Sequence, residues 1–343
     1  MSSSAYAEDA ASGKNWTLRL GDACELLPKM PDNCVDLSVY SPPFASLYTY
    51  SPSLRDIGNC RSEAEFLEHY GYVIREKLRV TKPGRLSCVH AADITRLKSV
   101  YGAMSLHDLP GDIIRAHTDA GWLYFGRVMV QKNPQAQAIR THSHALLFKT
   151  KNADSSKSRP AIGDSLLIFK KPGDAVVPVK TDCSNEEWIE WAAPVWLGIR
   201  ESDTLNGRLA RESADERHIC PLQIGFIERC IRLYSNRGEA VLSPFAGIGS
   251  EVWAAVKLGR RGVGIELKES YWRLAVKYLQ ELEASPPDEK PPPPPSLPKP
   301  EKLVRGKRDR SWPQAKLQRL YGFSDEELTE MDSLLVGADS EVS

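Results

Sequence analysis

Residues 240–250 read Ala-Val-Leu-Ser-Pro-Phe-Ala-Gly-Ile-Gly-Ser, and they decide the fold. Ala240, Val241 and Leu242 form a short apolar run of the kind that makes a buried strand. The run passes straight into the turn Ser243–Gly249, and a helix starts at Ser250. Glycine is required where backbone must approach a ligand closely or take a positive φ. Nineteen residues beyond Gly247, a second strand over 262–265 ends in Glu266. An acidic residue about 20 positions after such a turn, at a strand tip, is placed to accept hydrogen bonds from ribose hydroxyls. Strand, turn, helix and acid together make half of a Rossmann unit for an adenosine-bearing cofactor; a plain strand-to-helix turn would not need the acid. A dinucleotide site expects Gly-x-Gly-x-x-Gly/Ala. Here the third position after Gly249 is Val252, which argues against close pyrophosphate packing.

Outward from this stretch, the alternation continues. Helices are expected over 222–234, 250–258 and 270–282. In the first half of the chain, strands are expected over 16–20, 35–40, 85–90 and 122–130. Between them lie a helical turn over 24–30, a helix capped by Ser62-Glu63-Ala64-Glu65 that stops before Lys82-Pro83-Gly84, and a helix over 109–120. The fold class is therefore α/β: a Rossmann-like, mostly parallel sheet flanked by helices, with an inserted recognition region and a disordered tail. The expected organisation is a disordered N-terminus (1–15), a catalytic half (16–130), an insertion for target recognition (131–215), a cofactor-binding half (216–284), and a Pro-rich linker with a basic and acidic tail (285–343). Periodicity weakens over 131–215, where Lys132, Arg140, Lys149, Lys151, Lys157, Arg159, Lys170 and Lys171 accumulate and Trp188, Trp191 and Trp196 read as exposed. Five consecutive prolines at 291–295 favour extended polyproline II.

The strand over 35–40 runs into Ser41-Pro42-Pro43-Phe44. This tip carries a hydroxyl, two rigid carbonyl-bearing residues and an aromatic ring. The exocyclic nitrogen of a nucleobase is a poor nucleophile, because its lone pair is delocalised into the ring. Acceptors aimed at its two protons favour a pyramidal nitrogen and expose that lone pair. The Ser41 hydroxyl and the Pro42 carbonyl can do this; Pro42 and Pro43 fix the backbone beforehand. Phe44 can stack on the base, and Tyr48 or Tyr50 can supply a second face. A base inside a duplex must be flipped out, or presented single-stranded, to reach such a tip.

Phe245, Gly247 and Gly249 resemble the Phe-x-Gly-x-Gly motif of S-adenosylmethionine-dependent DNA amino-methyltransferases, and Ser41–Phe44 resembles that family's catalytic motif. The catalytic motif precedes the recognition region and the cofactor motif comes last, as in the family's β-type order. The resemblance spans about 16–282. It implies S-adenosyl-L-methionine as cofactor and DNA as partner, with Ser-Pro-Pro-aromatic associated with cytosine N4 and Asp/Asn-Pro-Pro-aromatic with adenine N6. Ser41 thus favours cytosine N4, with adenine N6 as the alternative. The resemblance also places Asp22 near the cofactor adenine, although Asp22 could equally cap the turn at Cys24. Family members carry a basic residue near the methionine carboxylate. Here the segment reads His218-Ile219-Cys220-Pro221-Leu222-Gln223, without lysine, so Gln223 or the start of its helix stands in.

Other chemistries fit less well. Carbon-5 methylation uses a Pro-Cys pair, and the adjacency here is reversed, Cys220-Pro221. RNA or protein-glutamine methyltransferases usually place the cofactor motif before an Asn/Asp-Pro-Pro-aromatic motif. A non-catalytic nucleic-acid-binding module would not need Ser41, Phe44 and Glu266 together. His142 and His144 are spaced like metal ligands but lack a third, and no metal is expected. The 343 residues carry 45 basic and 45 acidic side chains, so a DNA surface must be local. Its candidates are Arg55 in the loop after the catalytic tip, and Arg140, Lys149, Lys157 and Arg159 in the insertion. Seven scattered cysteines and a polar N-terminus suggest a reduced compartment and a cytoplasmic protein, prokaryotic or phage-encoded. A homodimer and a paired restriction nuclease are both compatible with this reading.

Overall fold

In the computed structural model, the described residues are 8–43, 60, 62–96, 98–134, 154–207 and 221–284. Every described residue belongs to one compact unit, Met1–Pro286. The strands are β1 (Asp9–Ser12), β2 (Trp16–Leu20), β3 (Val35–Tyr40), β4 (Thr81–Ala92), β5 (Ile94–Arg96), β6 (Ser105–His107), β7 (Leu123–Val130), β8 (Asp164–Lys170), β9 (Val195–Trp196), β10 (Ala240–Ser243) and β11 (Arg261–Glu266). The helices are α1 (Ala23–Leu26), α2 (Glu63–Val80), α3 (Lys98–Tyr101), α4 (Leu109–Asp119), α5 (Asn185–Trp191), α6 (Ile224–Tyr234), α7 (Ser250–Lys257) and α8 (Glu269–Ala284).

Nine strands form one sheet in the order β1-β2-β11-β10-β3-β4-β8-β7-β9. The segment β2-β11-β10-β3-β4 is parallel throughout, whereas β8 runs antiparallel to both β4 and β7. Parallel strands are covered on both faces, which is why β3 is buried at all six positions. On one face Tyr40, Val89 and Leu242 meet Phe66, Tyr70 and Val73 of α2 and Ile113 of α4. On the other, Leu37, Val39, Cys88 and Val241 meet Phe226, Ile227 and Ile231 of α6 and Ala254 and Ala255 of α7. Trp16, Leu18 and Leu20 of β2 pack with Val252 of α7 and Trp272 and Leu279 of α8. Ser62 caps α2 by accepting from the Glu65 amide at 3.1 Å. No helix among the described residues is long and apolar enough to cross a membrane.

The helix expected to stop before Lys82-Pro83-Gly84 ends at Val80, but the strand expected over 85–90 is longer, since β4 begins at Thr81 and includes that segment. Within the stretch 131–215, β8 lies inside the sheet between β4 and β7 and is buried at all but its last residue. Trp188 is exposed at 51%, but Trp191 (9%) and Trp196 (1%) are core residues. The Trp196 indole N–H donates to the Trp191 carbonyl at 2.9 Å, and its ring lies 6.0 Å from Phe226. Two of the lysines counted with the basic stretch are also structural. Lys132 is buried against Asp164, and Lys171 donates to the carbonyls of Arg79 and Thr81.

Candidate active site

The two motifs read from the sequence meet at one edge of the sheet. β3 and β10 are parallel neighbours with Leu37 opposite Val241 and Ser38 opposite Leu242. Three residues further on, Ser41 and Phe245 leave adjacent strand tips in the same direction, and the rings of Tyr40 and Phe245 lie 5.9 Å apart. From β3 the chain goes on to β4 on one side, and from β10 to β11 on the other. This reversal is a topological switch point, where open α/β sheets form a ligand crevice at the carboxyl ends of the strands.

On the β10 side the turn is built around Glu266. Its carboxylate accepts from the Gly247 amide at 2.6 Å and from the Lys268 amide at 2.8 Å, so the acid at the β11 tip holds the glycine loop. Gly247 and Gly249 have φ of 53° and 85°, in the left-handed region that favours glycine. A Cβ at Gly249 would stand 2.9 Å from the Ala275 Cβ, whereas at Gly247 no described atom lies within 4 Å, leaving open space. The hydroxyls of Ser243 and Ser250, on either side of the loop, are buried without a hydrogen-bond partner among the described residues. Val252, which breaks the dinucleotide pattern, packs into space left by the opposing strand. A Cβ at Gly262 or Gly264 would come within 2.6 or 2.8 Å of it. Close helix–strand packing is thus achieved by glycines on β11 instead of a third glycine on the helix. Next to Val252, Glu251 is fully enclosed; burial, then the charge of Glu266, pushes its carboxyl up to about 8.

Asp22 follows β2, whose Leu20 is opposite Glu266, so it sits at the same edge. Its side chain accepts from the Cys24 amide at 2.8 Å, which makes it the cap of α1. Gln223 is buried as the backbone N-cap of α6 and makes no side-chain cap bond. The Gly225 amide in the first turn of α6 is held at 3.2 Å by the Asp203 carboxylate, which sequence reasoning had not named.

On the β3 side, sequence reasoning missed a row of polar side chains. The Ser41 hydroxyl lies 3.3 Å from His90 Nδ1 and 3.3 Å from the His90 carbonyl oxygen. His90 Nε2 lies 2.7 Å from Asp164 Oδ2, and Lys132 Nζ lies 2.6 Å from the same oxygen. The Phe226 ring packs edge-on to His90 at 5.2 Å. Burial alone would raise the Asp164 carboxyl, but His90 and Lys132 outweigh it and hold the group at about 2. Signals for this row existed: a histidine at the carboxyl end of an expected strand, and an aspartate opening an apolar run.

Pro42 and Pro43 follow Ser41 at the crevice. Phe44, Tyr48, Tyr50, Arg55, Arg140, Lys149 and His218 lie outside the described residues, and so does the side chain of Lys157. Arg159 donates to the Pro160 carbonyl at 2.9 Å. It is also electrostatically coupled to Asp93, just beyond β4. Behind the site, the buried Lys77 donates to the Tyr40 hydroxyl at 2.5 Å and to Ser87 at 2.8 Å. Burial holds its ammonium well below the usual lysine range.

Residues 35–277 match the model of a family described as DNA methylase, of the N6/N4 type. Among curated relatives, the chain is 27% identical over 184 residues to the type II methyltransferase M.BglI of Bacillus subtilis, covering 52% of this chain and 46% of the relative. It is 26% identical over 205 residues to the type II methyltransferase M.MjaI of Methanocaldococcus jannaschii, covering 58% and 62%. The chain thus spans about half to three-fifths of the length of these relatives. Among solved structures, a candidate DNA modification methylase of Thermus thermophilus in complex with S-adenosyl-L-methionine superposes with a TM-score of 0.58 at 23% identity, covering 79% of this chain and 98% of that one. The cytosine-N4-specific PvuII DNA methyltransferase superposes at 0.57 with 18% identity, covering 80% and 89%. At these identities the two structures share the fold with this chain.

Proposed function

This chain belongs to the N6/N4 DNA methylase family, and we propose that it transfers a methyl group from S-adenosyl-L-methionine to N4 of a cytosine in DNA. The observation that carries this reading is the juxtaposition of Ser41-Pro42-Pro43 with the Phe245–Gly249 turn on neighbouring parallel strands. The residues present suit the cofactor. Gly247 leaves open space beside the turn, Glu266 stands at the next strand tip, and two buried serine hydroxyls near the loop have no partner among the described residues. When bound, the cofactor supplies an electrophilic sulfonium methyl.

The chain's own groups bind, orient and accept protons. Glu266, oriented by two backbone amides, takes the ribose hydroxyls, and Asp22, Phe245, Gly249 and Gln223 line the same edge. Ser41 and the Pro42 carbonyl accept from the amino group of a base lifted out of the helix, which frees the nitrogen lone pair for in-line attack. Phe44 stacks on the base. Tyr48, Tyr50, Arg55, Arg140, Lys149, Lys157 and Arg159 are the side chains we assign to DNA binding. Ser41 in place of Asp or Asn supports cytosine over adenine.

The test uses tritiated S-adenosylmethionine and unmethylated DNA of mixed sequence, digested to nucleosides after reaction. N4-methyldeoxycytidine is the expected labelled product, and N6-methyldeoxyadenosine would replace the cytosine assignment. Ser41→Ala and Phe44→Ala should leave cofactor binding nearly intact and sharply reduce turnover. Gly247→Val and Glu266→Ala should weaken cofactor binding first. Equal loss of binding in all four variants would falsify this division of labour.

A further inference from the structure

Ser41, His90, Asp164 and Lys132 come from four consecutive positions of the sheet. Ser41 follows β3, His90 lies near the end of β4, Asp164 opens β8, and Lys132 follows β7. We infer that His90 is a positioning residue that commits the Ser41 hydroxyl proton to itself and receives it when Ser41 takes a proton from the substrate amino group, with Asp164 and Lys132 fixing its ring. The inference rests on the reading of Ser41 as an acceptor for amino protons, and it goes beyond the choice of base.

The hydrogen-bond roles follow from the partners. Asp164, held near 2, is ionised over the working range and can only accept. Its Oδ2 accepts from Lys132 at 2.6 Å, so the contact of 2.7 Å to His90 requires the proton on Nε2. A neutral imidazole protonated at Nε2 has a bare Nδ1, which is an acceptor. Both groups of His90 within reach of Ser41, Nδ1 and the carbonyl oxygen, then lack a proton to offer. The Ser41 proton points to His90 and the oxygen lone pairs stay available to the substrate.

The step balances without any further reagent. As the nitrogen–methyl bond forms, the sulfur–methyl bond breaks with its pair left on sulfur. The amino N–H bond then breaks with its pair left on nitrogen. Ser41 gains that proton and gives its own to Nδ1, and the imidazolium later releases a proton to solvent. Lys132 already neutralises Asp164, so the imidazolium is not trapped. The groups facing His90 are Ser41 from β3, Asp164 from β8, Lys132 after β7 and the uncharged Phe226 ring from α6.

Two measurements test this. Nitrogen-15 NMR of the histidine-labelled full chain, without DNA, should show His90 as the Nε2–H tautomer, with an Nδ1 resonance that moves in Ser41→Ala. An Nδ1–H tautomer would overturn the inference whatever the substrate. In tritium transfer to DNA, His90→Gln should lower turnover about 100-fold with cofactor affinity unchanged. Asp164→Asn should lower turnover in the same way, with cofactor affinity unchanged. A His90→Gln variant with the wild-type rate would also overturn it. Counting total tritium in DNA keeps this result separate from the base assignment, since label in adenine would sink only the cytosine reading.

Discussion

Glu251 offers a prediction whose size can be worked out from the fold. Its carboxyl is enclosed in the first turn of α7, and burial, reinforced by the charge of Glu266, carries it from an ordinary 4.5 to about 8. The folded protein thus binds this proton more tightly than the unfolded chain does. Below about pH 4.5 both states are protonated and nothing is lost. Between there and about 8 only the unfolded chain ionises, and stability declines. Above that range both states are charged and the full penalty applies. A separation of about 3.5 pH units, at about 1.4 kcal/mol per unit, amounts to on the order of 5 kcal/mol. Glu251→Gln stays neutral at every pH. Urea unfolding should therefore give nearly equal stabilities for wild type and variant at about pH 4.5. The variant should be more stable by several kcal/mol at about pH 8.5. A stability difference that stays constant across this range would refute the argument, because only titration of Glu251 makes it grow with pH.

Three other outcomes follow from packing and charge. Gly264→Val would place a Cβ 2.5 Å from Leu18 Cδ2 and 2.8 Å from Val252 Cγ2, and should lower the urea midpoint by the equivalent of about 1–3 kcal/mol or more. Trp196→Ala empties a buried site and removes the indole hydrogen bond to Trp191; a loss of about 3–5 kcal/mol in equilibrium unfolding is expected, whereas a surface tryptophan would show almost none. Lys77 is depressed by burial, so the unfolded chain binds its proton more tightly and stability is lost as pH falls from the ordinary lysine value. Comparing Lys77→Met with wild type by urea unfolding, the balance should shift toward the wild type between about pH 7 and about pH 10.

The strand, turn, helix and acid over 240–266 were legible because their signals are local. An apolar triplet, two glycines, a helix and an acid at fixed spacing all lie within 27 residues, 240–266. The Ser41–Pro43 strand tip was legible for the same reason, as a Pro-Pro pair at the end of an apolar strand. What escaped were features set by non-local pairing. β8 is buried on both faces, so it has no alternation to mark it, and it follows a long basic stretch. Trp191 and Trp196 read as exposed because the periodicity around them is too weak to assign them to a core face. Their partners, Phe226 and the rest of α6, lie about thirty residues away. Val252 marks a departure from the dinucleotide pattern in the sequence, but its packing partners, Gly262 and Gly264 of β11, are set by the fold.

The row from Ser41 to Lys132 shows why strand direction matters as much as strand content. β4 runs parallel to β3, so His90 arrives at the carboxyl-end edge beside Ser41. β8 is antiparallel to β4, with Asp164 opposite Ala92, and this brings the first residue of β8, not its last, to that edge. A parallel β8 would have delivered Lys170 there and left His90 facing a cation. β7 reverses direction again, with Val130 opposite Asp164, and so returns Lys132 to the same edge. An acid at the start of one strand and a base just past the end of the next can meet only in an antiparallel pair. The antiparallel part of the sheet is therefore what allows a carboxylate to stand behind His90 at a crevice otherwise built from parallel strand tips.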